Sequence, residues 1–372
     1  MATKYVATDG TFSWSENTIA KPSSISEAMS NASAGDHVYI KTGTYNLASQ
    51  FSPSNSGTIN SPIIWEGYTS VPGDAEVAVA SFDYPDGTVV GINEDYHQLR
   101  YIRATGNGAT SGRHGFSVGW TTHGVVFFRC FADSNGGDGF RLQGDAMAIE
   151  CEVKAWGANS SSYAFYLTNW AYCFGCIGHE PNEGKYCFAN ISSNVRGFDY
   201  CIAAAKDPYE KGRSSAPWYG FYSQIDGDQG GILNCTHCVA EGFLRNYACA
   251  SLDNAYMCLN NCISSNAEGD GIYVVAGSGG KSIVILNGMA HYNNSRNYRI
   301  VPPAQKLEVI NEVQLTANPY KDVSGGDWRV VSAELIGEGG ASKMMWDNQL
   351  TEYKSAPTIG TIQSSLRRIV VG

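Results

Sequence analysis

The sequence predicts an all-β chain wound into a parallel β-helix, and three observations carry that prediction. Six cysteines, Cys130, Cys151, Cys176, Cys201, Cys238 and Cys262, recur in similar phrases at spacings of 21, 25, 25, 37 and 24 residues. Fixed periods of this size mark a solenoid whose units bury their apolar sides only against their neighbours. A second ladder, Phe116, Phe140, Phe165, Phe188, Phe221, Ile272 and Tyr298, keeps step with the first, mostly after a Gly or Ala. Between residues 80 and 320, short β-rich runs alternate with Asn, Gly, Asp and Ser turns, with no convincing amphipathic helix.

Stacking explains the recurrence. Parallel strands lie about 4.8 Å apart, so residues one rung apart form continuous columns. Cysteine suits an inward column because it is small, readily buried and only weakly polar. The elements follow in order. Residues 1–60 read as an N-terminal cap with the first strands: Ser23 to Asn31 is a short helix with a Ser cap and Glu27 three residues on from Ser24, and Ala34 to Tyr45 is a turn, a strand and a turn. The helix would cover strand edges that otherwise invite aggregation. Residues 61–315 are the coil. Its one break is the 37-residue interval, where a charged, Pro-bearing loop at 206–218 projects from the regular surface; such loops carry binding residues on a rigid scaffold or pack over the coil. Residues 316–372 close it.

The chain's 372 residues fit one solenoid, which grows along a single axis, and 43% hydrophobic against 16% charged residues argues against disorder. A net charge of −10 speaks against nonspecific nucleic-acid binding. Eleven cysteines, an odd number in a laddered chain, read as reduced core residues, not a disulfide scaffold. The start, Met1-Ala-Thr-Lys-Tyr-Val, shows no apolar signal segment, and no run is long enough to cross a bilayer, so synthesis in the cytoplasm without membrane insertion is expected.

The stretch from Ala34 to Tyr45, Ser61-Pro-Ile-Ile-Trp-Glu-Gly67, Asn318 to Val330 and Ala356-Pro-Thr-Ile-Gly360 resemble segments of right-handed β-helix proteins of the pectate-lyase superfamily. The rungs themselves resemble family 9 polysaccharide lyases in running Cys-x-Ala, turn, Asp-Gly-Phe. That resemblance implies a lysine base three positions after the Phe of Asp138-Gly139-Phe140, where this chain has Gln143, and calcium-binding acids where it has Ser162-Tyr163-Ala164-Phe165-Tyr166. Glutamine cannot abstract the proton, and calcium needs hard oxygen ligands that usually include carboxylates. The resemblance therefore implies the fold and not that catalytic set.

Other constellations admit two readings each. Glu150, Glu152 and Lys154 flank Cys151 and resemble the Glu-x-Glu and lysine of alginate-lyase-like β-helices, or form a solvated strand face. Asp226 and Asp228 are the best local carboxylate pair for hydrolysis and the candidate catalytic residues, although Asp-Gly also makes turns. Cys173 with Cys176 and Cys235 with Cys238 have zinc-site spacing, but Cys176 and Cys238 belong to the inward column, so neither a metal nor any cofactor is expected. Aromatics crowd one half of the coil, among them Tyr163, Tyr172, Tyr186, Tyr200 and Tyr219. With Arg213, the candidate carbohydrate-binding residues are Trp156, Tyr166, Trp170, Tyr209, Trp218 and Tyr222, since aromatic faces stack on sugars or anchor interfaces.

These features together predict a virion-associated protein of bacteriophage type, a tailspike, fibre or capsid-surface decoration. It would be a homotrimer that contacts other virion proteins and host-surface polysaccharide. The alternative is a polysaccharide-degrading lyase or hydrolase on the same fold.

Overall fold

A computed structural model describes residues 2–372 apart from 106–112, 134–135, 155–161, 180–185, 193–196, 206–217, 226–230, 252–253, 278–279, 302–305, 316–319, 323–326, 331–342, 347–348 and 353–372. Among the described residues it is β-structure apart from a 3-10 turn, Trp14–Glu16, and one short α-helix. The chain divides into two compact units, the first Met1–Phe188 with Asn194–Arg196 and the second Ala189–Ser193 with Gly197–Gly372. Each is a stretch of right-handed parallel β-helix built from three sheets.

In unit 1 the first sheet runs from Thr3–Val6 through His37–Lys41, Ile63–Tyr68, His97–Arg100, Val125–Phe128 and Ala146–Ile149 to Tyr172–Phe174. The second runs from Gly43–Asn46 to Ile177–His179, and the third from Val90–Ile92 through Phe116–Val118, Phe140–Leu142 and Tyr163–Leu167 to the strand that begins at Tyr186. Strands pair in parallel with like residues opposed: Phe116 with Phe140, and Phe140 with Phe165. The resulting aromatic stack is regular. Ring centroids of Phe116, Phe140, Phe165 and Phe188 are 4.5, 5.1 and 4.7 Å apart and tilted by 9°, 7° and 1°.

Unit 2 repeats the plan, its third sheet made of Tyr219–Ile225, Arg245–Ser251, Asp270–Ala276 and Arg296–Val301. There Tyr247 occupies the aromatic column against Phe221, 5.2 Å away, and its hydroxyl donates to Cys238 O at 2.8 Å. Beyond it, pairs Tyr320–Asp322 with Asp327–Val330 and Lys343–Trp346 with Gln349–Glu352 are antiparallel.

All six laddered cysteines are buried and unbonded to one another. Each thiol finds a backbone acceptor, as Cys151 does in Phe127 O at 3.5 Å and Ile149 O at 3.4 Å, so the column leaves no unmet donor. Burial raises the Cys151 thiol well above its usual range, which keeps it protonated and unreactive. Immediately before each cysteine the chain turns through one residue of positive φ: Arg129, Glu150, Gly175, Tyr200, His237 and Asn261. Five of these are not glycine, a conformation that L side chains adopt only when the surroundings hold them. The corner side chains hold each other. Arg129 Nε binds Glu150 at 2.6 Å, and Tyr200 stacks on His237 at 4.6 Å.

The expected helix is Ile25–Asn31, capped by Ser24, whose hydroxyl accepts from Glu27 N at 3.2 Å. Glu27 does not return the capping-box bond; its carboxylate accepts from Trp14 N.

Candidate functional site

The geometry concentrates on the outward face of the third sheet in unit 1. In Phe140-Arg141-Leu142 the Phe and Leu are fully buried, so alternation turns Arg141 outward. Register places Arg141 beside Tyr166 on the next rung, with the guanidinium 4.9 Å above the Tyr166 ring. Two residues before each ladder Phe stands a second column: His114, Asp138, Tyr163 and Tyr186.

Asp138 is tied to both neighbouring rungs. Its backbone N–H donates to His114 Nδ1 at 3.0 Å, and its Oδ1 accepts from Tyr163 N at 3.0 Å. Its Oδ2 lies 3.3 Å from His114 Nδ1 and 3.7 Å from Arg141 Nη1. Gly139 permits this closeness, because a Cβ there would stand 2.4 Å from a Val153 methyl and 2.8 Å from Ala164 O. Tyr163 then stacks on Tyr186 at 4.8 Å and meets Tyr166 at 5.1 Å.

Burial dominates the electrostatics here. Asp138 is 3% exposed, and desolvation pushes its carboxyl up to about 7 despite the bond from Tyr163 N and the Arg141 charge. His114 is pushed down to about 4, first by burial and then by Arg141. With a backbone donor at Nδ1 and Arg141 Nη1 3.3 Å from Nε2, the imidazole has no room for a second proton. Near neutrality the site therefore holds a neutral imidazole, a carboxyl poised between its two forms, and one half-buried cation. Desolvation also raises the Tyr166 phenol, which stays protonated.

Unit 2 carries a different column at the same level of its third sheet. Arg245 Nη1 donates to Tyr219 Oη at 2.7 Å, and its guanidinium lies 3.7 Å above Tyr273. Asp270 faces Arg245 Nε at 3.7 Å and accepts from Arg296 Nε at 2.5 Å. A cavity of about 430 Å3 in unit 2 opens between the turn Asn293–Asn297 and Gln314 and is lined mainly by amides.

Of the residues singled out in the sequence, Asp226, Asp228, Trp156, Tyr209 and Arg213 lie outside the described residues. Tyr166 belongs to the Arg141 cluster, and Trp170 and Trp218 are exposed, by 53% and 38%. Tyr222 does not face solvent: it is buried against Tyr219, at 4.5 Å, with its hydroxyl on Gln224. Tyr200 and Tyr219 are buried too. The Glu150, Glu152, Lys154 triplet does not form one outward set, since Glu150 sits in the corner with Arg129 and Glu152 is buried with its Oε1 2.6 Å from His179 Nε2. No cluster of three or more metal-ligating side chains occurs among the described residues. Sequence reasoning passed over His114, Asp138 and Arg141 as a group; the signal was the pair of columns at fixed offsets from the Phe ladder.

No family model and no curated protein matches the chain. Among solved structures it is similar to pectate lyase Pel9A, at 16% identity and a TM-score of 0.61 over 97% of this chain and 96% of that one. A rhamnogalacturonan lyase is similar at 14% identity and a TM-score of 0.62, over 87% and 91%. At these identities the likeness establishes the fold.

Proposed function

We propose that this protein binds an acidic polysaccharide across the outward third sheet of unit 1 and cleaves it by β-elimination. One observation carries the reading: Arg141 stands outward on a tyrosine face, backed by a buried carboxyl near neutrality and an unprotonated imidazole. Arg141 pairs with a uronate carboxylate and stabilises the charge that develops as the proton on the adjacent carbon leaves. The Asp138 carboxylate receives that proton, its value of about 7 being matched to transfer at neutral pH. Tyr166, held protonated, donates to the departing glycosidic oxygen; the carbon–oxygen bond breaks and a carbon–carbon double bond forms beside the carboxylate. The fold likeness to two lyases supports the choice of substrate class.

Incubation with a panel of uronate polymers tests it. Products absorbing in the ultraviolet are expected; new reducing ends without that absorbance indicate hydrolysis, and neither product overturns cleavage. The finer reading, a trimeric virion-surface protein that holds host polysaccharide, rests on sequence features and would use the same face. Its test is the mass in solution, where a stable monomer overturns the trimer.

A further inference from the structure

In unit 2 the parallel coil ends on a rung whose interior departs from the ladder. The last strands of its three sheets are Lys306–Ile310, Val313–Gln314 and Arg296–Val301, and each has a neighbour on one side only. Register carries the inward columns to that end. Tyr298 continues the column of Phe221, Tyr247 and Ile272, and His291 continues that of Ala240 and Ser264. Glu312, the residue before Val313, takes the place that Cys262 and Met289 hold before Ile263 and Ala290.

These three side chains meet. His291 Nε2 lies 2.9 Å from Tyr298 Oη and 3.3 Å from Glu312 Oε1, and the Tyr298 hydroxyl donates to the same carboxylate. Burial pushes His291 down to about 4 and raises Glu312, so at neutral pH the carboxylate faces a neutral imidazole and a phenol. Among the described residues no Lys or Arg pairs with it. The other half of the end is apolar. Leu307 and Val309 continue the fully buried Val284 and Leu286, yet they are 52% and 40% exposed. The core thus stops at an uncovered surface, apolar along Lys306–Ile310 and anionic at the corner after it. An open strand edge of this kind is a template for one more strand.

Within residues 316–372 one stretch joins two adjacent cations to an unbroken β-branched run: Leu366-Arg367-Arg368-Ile369-Val370-Val371, which lies outside the described residues. Tyr353 to Ser365 give it about 43 Å of reach beyond Glu352. We propose that this stretch pairs antiparallel with the open edge of Lys306–Ile310 in the same chain, with Val371 opposite Leu307, Ile369 opposite Val309, and Arg367 at the corner beside Glu312. Alternation puts those three side chains on one face, so a single register covers both apolar positions and brings a guanidinium to the unpaired carboxylate. A parallel strand covering Leu307 and Val309 with Ile369 and Val371 would carry its arginines away from Glu312. Both described strand pairs beyond Leu315 are antiparallel as well. Closure of the coil by residues 316–372 then comes down to one strand, and the covered edge is withdrawn from pairing with other molecules.

Paired cysteines in the full chain test the register. Directly opposed residues of an antiparallel pair have Cα atoms about 4.5–5.5 Å apart, within disulfide range, while the next residue points to the opposite face. L307C/V371C is expected to form an intrachain disulfide at least about tenfold faster than L307C/V370C, read by intact mass and peptide mapping. The native cysteines are buried except for the half-buried Cys258, and Leu307 is exposed, so neither pair disturbs the core. An interchain disulfide would give the edge to a second copy; equal rates, or no disulfide in either variant, would leave it open. Each of these results overturns the closure. Amide exchange supplies a readout free of new thiols. E312R and R367E should each speed exchange across Lys306–Ile310 by about tenfold, and E312R/R367E should return it to within about twofold of wild type. Wild-type exchange in R367E, or a double variant no slower than the singles, overturns the Arg367–Glu312 pairing.

Discussion

The third sheets of the two units each place an aspartate two residues before the ladder column, Asp138 before Phe140 and Asp270 before Ile272, and obtain opposite results. In unit 2, Asp270 lies between two guanidiniums, and Arg245 is further occupied by Tyr219 and Tyr273, so every charge meets a partner. In unit 1, Asp138 is set against a neutral imidazole, with its one cation 3.7 Å away and turned toward Tyr166. One arrangement sets its carboxylate between two guanidiniums; the other leaves a carboxyl at about 7 beside a single half-buried guanidinium that also reaches His114 and covers Tyr166. The difference teaches that on a repeating scaffold a candidate site is to be sought where the ladder is imperfectly matched. Matched ladders are structural.

The largest effect should separate Arg141 from Arg245. R141A is expected to lower kcat/KM on a uronate polymer by about 10²–10³-fold, as removal of a transition-state charge partner does, while R245A should stay within about threefold. Initial rates of ultraviolet-absorbing product decide it, and equal losses would dissolve the contrast.

Next is the pH dependence of stability. Asp138 has a folded value near 7, above its unfolded value of about 3.9, so its contribution is full below pH 4 and is lost as pH rises through 7. His114, with a folded value near 4 below an unfolded 6.5, contributes fully above pH 6.5 and loses it as pH falls toward 4. Between pH 4 and 6.5 the two slopes oppose and largely cancel. D138N removes one of them, so its stability should fall as pH drops from 6.5 to 4, by on the order of 2–3 kcal/mol, where the wild type stays nearly flat. Urea midpoints across that range test it.

The coil was legible because its signals are periodic. Cysteine and phenylalanine return at one position per rung, and Ser24 with Glu27 announces the helix. The site was not, because His114 stands 24 and 27 residues before Asp138 and Arg141, and only strand register makes it their neighbour. Asp138-Gly139 also reads as ordinary turn chemistry, and nothing in the sequence reveals that Gly139 stands clear of Val153 only because it lacks a Cβ. Tyr222 shows the reverse failure. An amphipathic ring can face either way, and Tyr219 covers it. The corner conformations of Arg129, Glu150 and Tyr200 were equally hidden, since none of these types favours positive φ.

Breaking the matched ladder should cost stability and spare chemistry. D270N leaves Arg245 and Arg296 facing each other without the carboxylate, and a loss of about 1–3 kcal/mol is expected, reduced from the fully buried case because Arg296 is half exposed. Activity on the uronate polymer should be unchanged.

The smallest effect sharpens the comparison from inside. Behind these two unlike faces the cysteine column is the same: Cys151 Sγ donates to Phe127 O at 3.5 Å and Ile149 O at 3.4 Å, and Cys238 Sγ to Phe198 O at 3.2 Å and Thr236 O at 3.4 Å. Both are fully buried. Cys151→Ala and Cys238→Ala each remove one sulfur and leave a void of methyl size, so each should cost about 1 kcal/mol, equal within error by urea unfolding. Equality would place the divergence of the two units wholly on their outward side chains. A difference of 2 kcal/mol or more would mean that the cores also differ, and that the poise of Asp138 depends on packing beneath it as well as on its neighbours at the surface.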